Sequence, residues 1–223
     1  MSVIDDVRGV LAPPHPAGRP FILSGLVAVL VGLAVGPWLI WLGLLFTGFC
    51  LYFFRDPERF TPTRAGILVA PADGRVVFNA LAPPPPELGL GMEQRWKVSI
   101  FLTVLNVHVN RIPISGVVTR IAYHHGAFIS ASLDKASELN ERNALAIRLP
   151  GGQEIAVVQI AGLIARRILC DLHEGEPVST GQRFGIIRFG SRTDLYLPVG
   201  VRPLVDLGQT MIGGETVIAE MTN

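Results

Sequence analysis

Net charge is nearly absent from this chain: nineteen Lys and Arg against eighteen Asp and Glu leave +1 at pH 7 over 223 residues. A partner recognised by neutralising many phosphates, nucleic acid above all, is therefore excluded. Lysine is scarce, with Lys97 and Lys135 the only two, so the positive charge is carried almost entirely by arginine. Cysteine is scarce as well. Cys50 and Cys170 lie far apart, neither belongs to a CxxC pair, and a disulfide framework or structural zinc site is ruled out in favour of a reducing compartment. No GxSxG elbow, Walker A loop or HExxH helix occurs. The adjacent His124 and His125 would point to opposite faces of a strand and could not share a metal.

Charge is missing altogether from Phe21 to Phe54, 34 residues that raise the mean hydropathy of the chain to +0.44. One bilayer-spanning helix needs about 20 apolar residues. The run is too long for one span and slightly short for two, and Gly36-Pro37 divides it almost in half. This predicts a helical hairpin, either two short spans or a re-entrant wedge. Arg8 and Arg19 before it, with Arg55, Arg59 and Arg64 after it, place both ends on the cytoplasmic side of the cell membrane. The uncharged run far exceeds the apolar stretch of a cleavable signal peptide. The expected organisation is a cytoplasmic segment 1–20, a membrane hairpin 21–54 and a soluble domain 55–223.

That domain reads as mainly β with few helices. "RWKVSIFLTVLNVHVNRIP" predicts one long strand, with Val104, Asn106, His108 and Asn110 on one face and Leu105, Val107 and Val109 on the other. "ALAIRLPGGQEIAVVQIAG" predicts a hairpin turning at Pro150–Gly152, and "ETVIAEM" a last strand. A short helix is expected around "ASLDKASELNER", and Pro83–Pro86 reads as an exposed loop. "RFGIIRFGSRTDLYLP" is strand-forming but interrupted by Gly190-Ser191, the only Gly-Ser pair in the chain. A bulge or turn would explain the glycine. Asp73 in "APADGRVV" is equally compatible with an Asp-Gly turn, and His108 with packing. Read one by one, Asp73, His108 and Ser191 leave structural and nucleophilic roles open.

Taken together and in order, "FFRDPERF", "PADGRVV", "NVHVNRIP", "SLDKASELNERN", "QIAGLIARRI" and "RFGIIRFGSRTDLYLP" resemble the phosphatidylserine decarboxylase family in its short bacterial and archaeal form. The resemblance spans most of residues 50–200. It implies a proenzyme that cuts itself at Gly190–Ser191 into a β chain 1–190 and an α chain 191–223, which stay paired as a heterodimer, with further oligomerisation open. It implies that Ser191 becomes a pyruvoyl group, the cofactor, which takes the serine amine of phosphatidylserine as a Schiff base and yields phosphatidylethanolamine. Neither pyridoxal phosphate nor a metal is called for, in keeping with two lysines in unremarkable settings. Asp73 matches the family's self-cleavage aspartate and His108 the first of two family histidines. The second position is Arg111, which cannot serve as a base at neutral pH and is assigned instead to the substrate's phosphate or carboxylate. Three other readings stand beside this one: an uncut Ser–His–Asp hydrolase on Ser191, His108 and Asp73, a non-catalytic tethered β module, and a pyruvoyl decarboxylase of a soluble amino acid.

Overall fold

The computed structural model describes residues 12–126, 140–162, 167–188 and 191–221. The chain forms two compact units, Met1–Glu58 and Arg59–Asn223.

The first unit is the expected hairpin. Helix α1 (Arg19–Val35) and helix α2 (Pro37–Phe53) are separated by Gly36, and Pro37 opens the second helix where no amide donor is needed. They lie close because Gly25 and Gly43 face each other. A Cβ on Gly43 would stand 2.8 Å from the Gly25 carbonyl oxygen, and one on Gly25 would collide with Thr47. With its leading 3-10 turn, the first helix (Pro16–Val35, mean hydropathy 1.9) is long and apolar enough to cross a membrane, and Pro37–Phe53 is a shorter apolar helix.

The second unit is β-rich and antiparallel throughout. Its strands are β1 (Ile67–Val69), β2 (Gly74–Ala82), β3 (Arg95–Leu102), β4 (Val109–Arg111), β5 (Gly116–His124), β6 (Arg142–Arg148) and β7 (Glu154–Ala161). They continue with β8 (Ile168–Cys170), β9 (Pro177–Val178), β10 (Arg183–Ile187), β11 (Ser191–Tyr196), β12 (Thr210–Met211) and β13 (Val217–Glu220). A large sheet runs β12-β2-β3-β11-β7-β6-β5-β9, a small one runs β4-β10-β8, and β1 pairs with β13. One face of the large sheet buries Val98, Ile100, Leu145, Val157 and Leu195 with Ile112 and Phe184, and the other buries Ala144, Ala156, Val158 and Tyr196 with Leu88.

The predicted hairpin is β6–β7, closed by Gly152 N–H donating to Leu149 O, and the last strand is β13. Two expectations change. The long strand over 95–113 is broken, because Asn106 Oδ1 accepts from both the amide and the hydroxyl of Thr103 at 2.8 Å and folds residues 103–106 into a turn. A short polar side chain there outcompetes the strand ladder, and the alternation of Val104–Val107 is lost. The proline run is not wholly exposed either. Pro84 is buried, and the 3-10 turn Pro86–Leu88 docks Leu88 into the core and Glu87 against Arg142 at 2.8 Å. Most of the expected helix lies outside the described residues, and its end is already β6 at Arg142.

Burial raises the Glu87 carboxyl, but the hydrogen bond and charge of Arg142 outweigh it and hold the group below the usual carboxylate range. Stability from this pair is therefore full above that range and is lost as pH falls below it through the depressed value of the folded state. Glu87→Gln is expected to lower the urea midpoint of the detergent-solubilised chain at pH 7, with the difference from wild type starting to shrink only as pH falls below the usual glutamate value of about 4.3 and vanishing below the depressed value of the folded state. An equal loss at both pH values would remove the ion pair as its cause.

Candidate active site

β11 lies between β3 and β7, and every one of its residues is buried. Its first residue, Ser191, faces Leu102 on β3 and Ala161 on β7. The side chain is 0% exposed, and Oγ has no hydrogen-bond partner among the described residues. An unsatisfied buried hydroxyl costs about 1–3 kcal/mol. Alanine would fill the same apolar slot without that penalty, so the hydroxyl calls for a chemical reason. Gly190, the residue before it, lies outside the described residues.

The turn that breaks the long strand brings His108 back toward the same end of the sheet. His108 is fully buried, and its Nδ1 lies 2.9 Å from the Asn106 carbonyl oxygen. A carbonyl can only accept, so Nδ1 carries a proton and Nε2 is the nitrogen that can act as a base when the ring is neutral. Ile187 N–H donates to the His108 carbonyl at 3.4 Å, Ile187 packs on Ala161, and Ala161 faces Ser191. The histidine and the serine thus share one end of the core.

Asp73 stands at the start of β2, at that same end. β2 and β11 flank β3, so strand spacing puts Asp73 about 10 Å from β11 across the sheet. Its two oxygens are held separately: Arg59 Nη2 donates to Oδ2 at 2.7 Å, and the Gly213 amide donates to Oδ1 at 2.8 Å. Arg59 is the last residue of the RDPER stretch, so that motif acquires a physical role as the clamp on Asp73. Arg111 lies on β4, 6% exposed, with Nη1 donating to the Gly181 carbonyl at 3.0 Å and its own amide to Pro71 O at 2.9 Å.

Two sets of buried polar residues escape a reading of the sequence alone. On the Ser191 face, Asn143, Gln159, Asn110 and Thr193 form a row of hydrogen bonds. On the reverse face, Arg192 grips Asp194 through Nε at 2.8 Å and Nη2 at 3.1 Å, with Lys97 Nζ 3.9 Å from the same carboxylate. Burial, and next the Asp194 charge, push the Tyr196 phenol well above its usual value. The available signal was a lone polar residue at a core-facing position of an apolar strand, as Gln159 is in "IAVVQIAG".

The phosphatidylserine decarboxylase family model matches residues 46–219. A protein of Granulibacter bethesdensis named phosphatidylserine decarboxylase proenzyme is 67% identical over 222 residues, covering 100% of this chain and 91% of the relative. Like-named proteins of Gluconacetobacter diazotrophicus (61% over 226 residues, 99% and 100% covered) and Saccharopolyspora erythraea (55% over 220 residues, 96% and 91% covered) are similar along nine-tenths or more of their lengths.

Removing the Asp73 carboxylate should free the turn it holds. In Asp73→Ala the Gly213 amide is expected to exchange its hydrogen roughly tenfold faster or more, as loss of a charge-assisted hydrogen bond requires, with Arg59→Ala showing a smaller effect. Unchanged exchange in Asp73→Ala would show that the carboxylate does not tie down this turn.

Proposed function

The chain belongs to the phosphatidylserine decarboxylase family, and from that premise we propose that it converts phosphatidylserine to phosphatidylethanolamine and carbon dioxide in phospholipid biosynthesis, using a pyruvoyl group made from its own Ser191 by autocatalytic cleavage of the Gly190–Ser191 bond. The observation that carries this reading is the Ser191 hydroxyl, buried without a partner among the described residues at the first position of a central strand.

The self-cleavage uses groups already at that end of the sheet. Ser191 Oγ attacks the Gly190 carbonyl carbon, its proton passing to a base, and the acyl group moves from nitrogen to oxygen. His108 is the base this arrangement favours, since its Nδ1 contact leaves Nε2 as the basic nitrogen. Asp73, clamped by Arg59 and Gly213, supports the same step. Loss of the Ser191 α-proton expels the Gly190 carboxylate, leaving dehydroalanine. Its imine tautomer takes up water and releases ammonia, leaving a ketone at residue 191. That ketone supplies an electron sink for the pair left behind as carbon dioxide departs. Leu102 and Ala161 wall residue 191 from bulk water. Arg111 has the weakest support as a headgroup ligand, because its commitment to Gly181 fits a strut for β4 better.

The pieces 1–190 and 191–223 would remain together because β11 is paired on both sides, to β3 and β7. The helical hairpin fits an enzyme whose substrate stays in the cell membrane, with the second unit on the cytoplasmic side.

Intact-mass measurement of the purified chain, before and after borohydride reduction, tests the reading. Wild type is expected to give a piece ending at Gly190 and a reducible piece 191–223, while Ser191→Ala stays whole. His108→Ala is expected to slow cleavage about a hundredfold or more, the usual contribution of a positioned base. A wild type that remains one unmodified chain would sink the proposal and move an uncut serine hydrolase or a tethered binding module to the front.

A further inference from the structure

The polar row on the Ser191 face crosses four strands. Asn143 Nδ2 on β6 donates to Gln159 Oε1 on β7 at 3.0 Å. Gln159 Nε2 donates to Asn110 Oδ1 on β4 at 2.9 Å. Asn110 Nδ2 donates to Thr193 Oγ1 on β11 at 3.3 Å. Asn143, Gln159 and Thr193 are direct neighbours in the register of the large sheet, and Asn110 leans in from the small sheet to bridge two of them. All four are at most 2% exposed, and the adjacent row of that face is Leu145, Val157 and Leu195. Apolar residues of similar volume would fill this space with little loss of stability, because the net gain from hydrogen bonds in a core is small once desolvation is repaid. What a fully satisfied buried network adds is one allowed arrangement of its parts.

The part that needs fixing is β4, a strand of only three residues. Asn110 lies on it and His108 comes two residues earlier, a step of about 6.6 Å along extended chain. Thr193 and Ser191 are separated by the same step on β11. The Asn110–Thr193 bond therefore sets how far along β11 the histidine stands. The small sheet has no slack at this level, since a Cβ on Gly185, opposite Asn110, would collide with Leu169 O and come within 3.1 Å of Gln159 Nε2. A cut before Ser191 puts Thr193 on one chain and the other three residues on the other, so the row would also tie the two pieces together two residues from the new end.

We propose that Asn110, Gln159 and Thr193, backed by Asn143, are positioning residues that hold His108 at the height of residue 191 through self-cleavage and decarboxylation. The proposal rests on the reading of Ser191 given above. The test uses the full chain with Thr193→Val, which keeps the volume and removes the hydroxyl, and Thr193→Ser, which keeps the hydroxyl. Each is made with and without Ser191→Ala. Thr193→Val is expected to slow cleavage about tenfold to a hundredfold, the scale on which a small misplacement of reacting groups acts. Its processed fraction should lose kcat on phosphatidylserine vesicles with KM retained, and the pH dependence of cleavage should shift. Thr193→Ser should restore all three, and in the Ser191→Ala background both variants should melt within a few degrees of the parent. The proposal is overturned if Thr193→Val cleaves at the wild-type rate, if serine does not rescue it, or if its loss follows a lowered melting temperature in the uncleavable background. A wild type that itself stays whole would bring down the cleavage reading first, and this proposal with it.

Discussion

The double pairing of β11 is the constraint from which the rest follows. Its backbone is bonded to β3 and to β7 along all six residues, and both its faces are buried. Such a strand is usually a run of aliphatic residues. Here one face carries Ser191, Thr193 and Leu195, and the other carries Arg192, Asp194 and Tyr196. The charged face makes the register unequivocal: a slip by one residue would turn Arg192 and Asp194 into the apolar core and Leu195 away from it. Arg192 and Asp194 travel together on one strand, so the register is held by the cost of moving their charges into an apolar face and by Lys97 on β3, whose Nζ stands 3.9 Å from the Asp194 carboxylate. That register puts Ser191 opposite Leu102 and Ala161.

Around that fixed end the remaining groups are supplied by chain that is not regular strand, as is usual where a rigid sheet supports chemistry. The Thr103–Asn106 turn returns the chain to present His108, and its last residue orients the ring through a backbone carbonyl. Asp73 precedes the first residue of β2 and is held from two directions by Arg59 and the Gly213 amide. The same local feature, a short polar side chain capping its own turn, ends the predicted long strand and creates the position of the histidine.

What could be read from the sequence was what is written locally. Thirty-four uncharged residues with Gly36-Pro37 at their middle leave little besides a hairpin of two apolar helices. Alternation and turn residues gave β6–β7 and β13. Ser191, His108 and Asp73 came from a resemblance, and the strand order brings them to one end of the sheet. Alternation failed at Val104–Val107 because period-2 patterning does not register a side chain that caps a turn. Which distant residues pair left no local trace, although Gln159 stands out as the lone polar residue of its apolar run. Gln159 and Asn110 are 49 positions apart, and Arg59 and Asp73 are 14 apart. The partner of each therefore stays hidden until the sheet order is known.

A break ahead of β11 would turn the middle of a sheet into a strand donated by a second chain. Within one chain, β11 finds its slot by closing a loop, at an entropic penalty that grows only slowly with loop length. As a separate piece it would have to find an open groove between β3 and β7 by diffusion, with recovery falling as the protein is diluted. The severed form would then persist through the slowness of its unfolding, outside any equilibrium with its unfolded chains. Such a molecule folds once, before it is cut, and carries a memory of that order for the rest of its life.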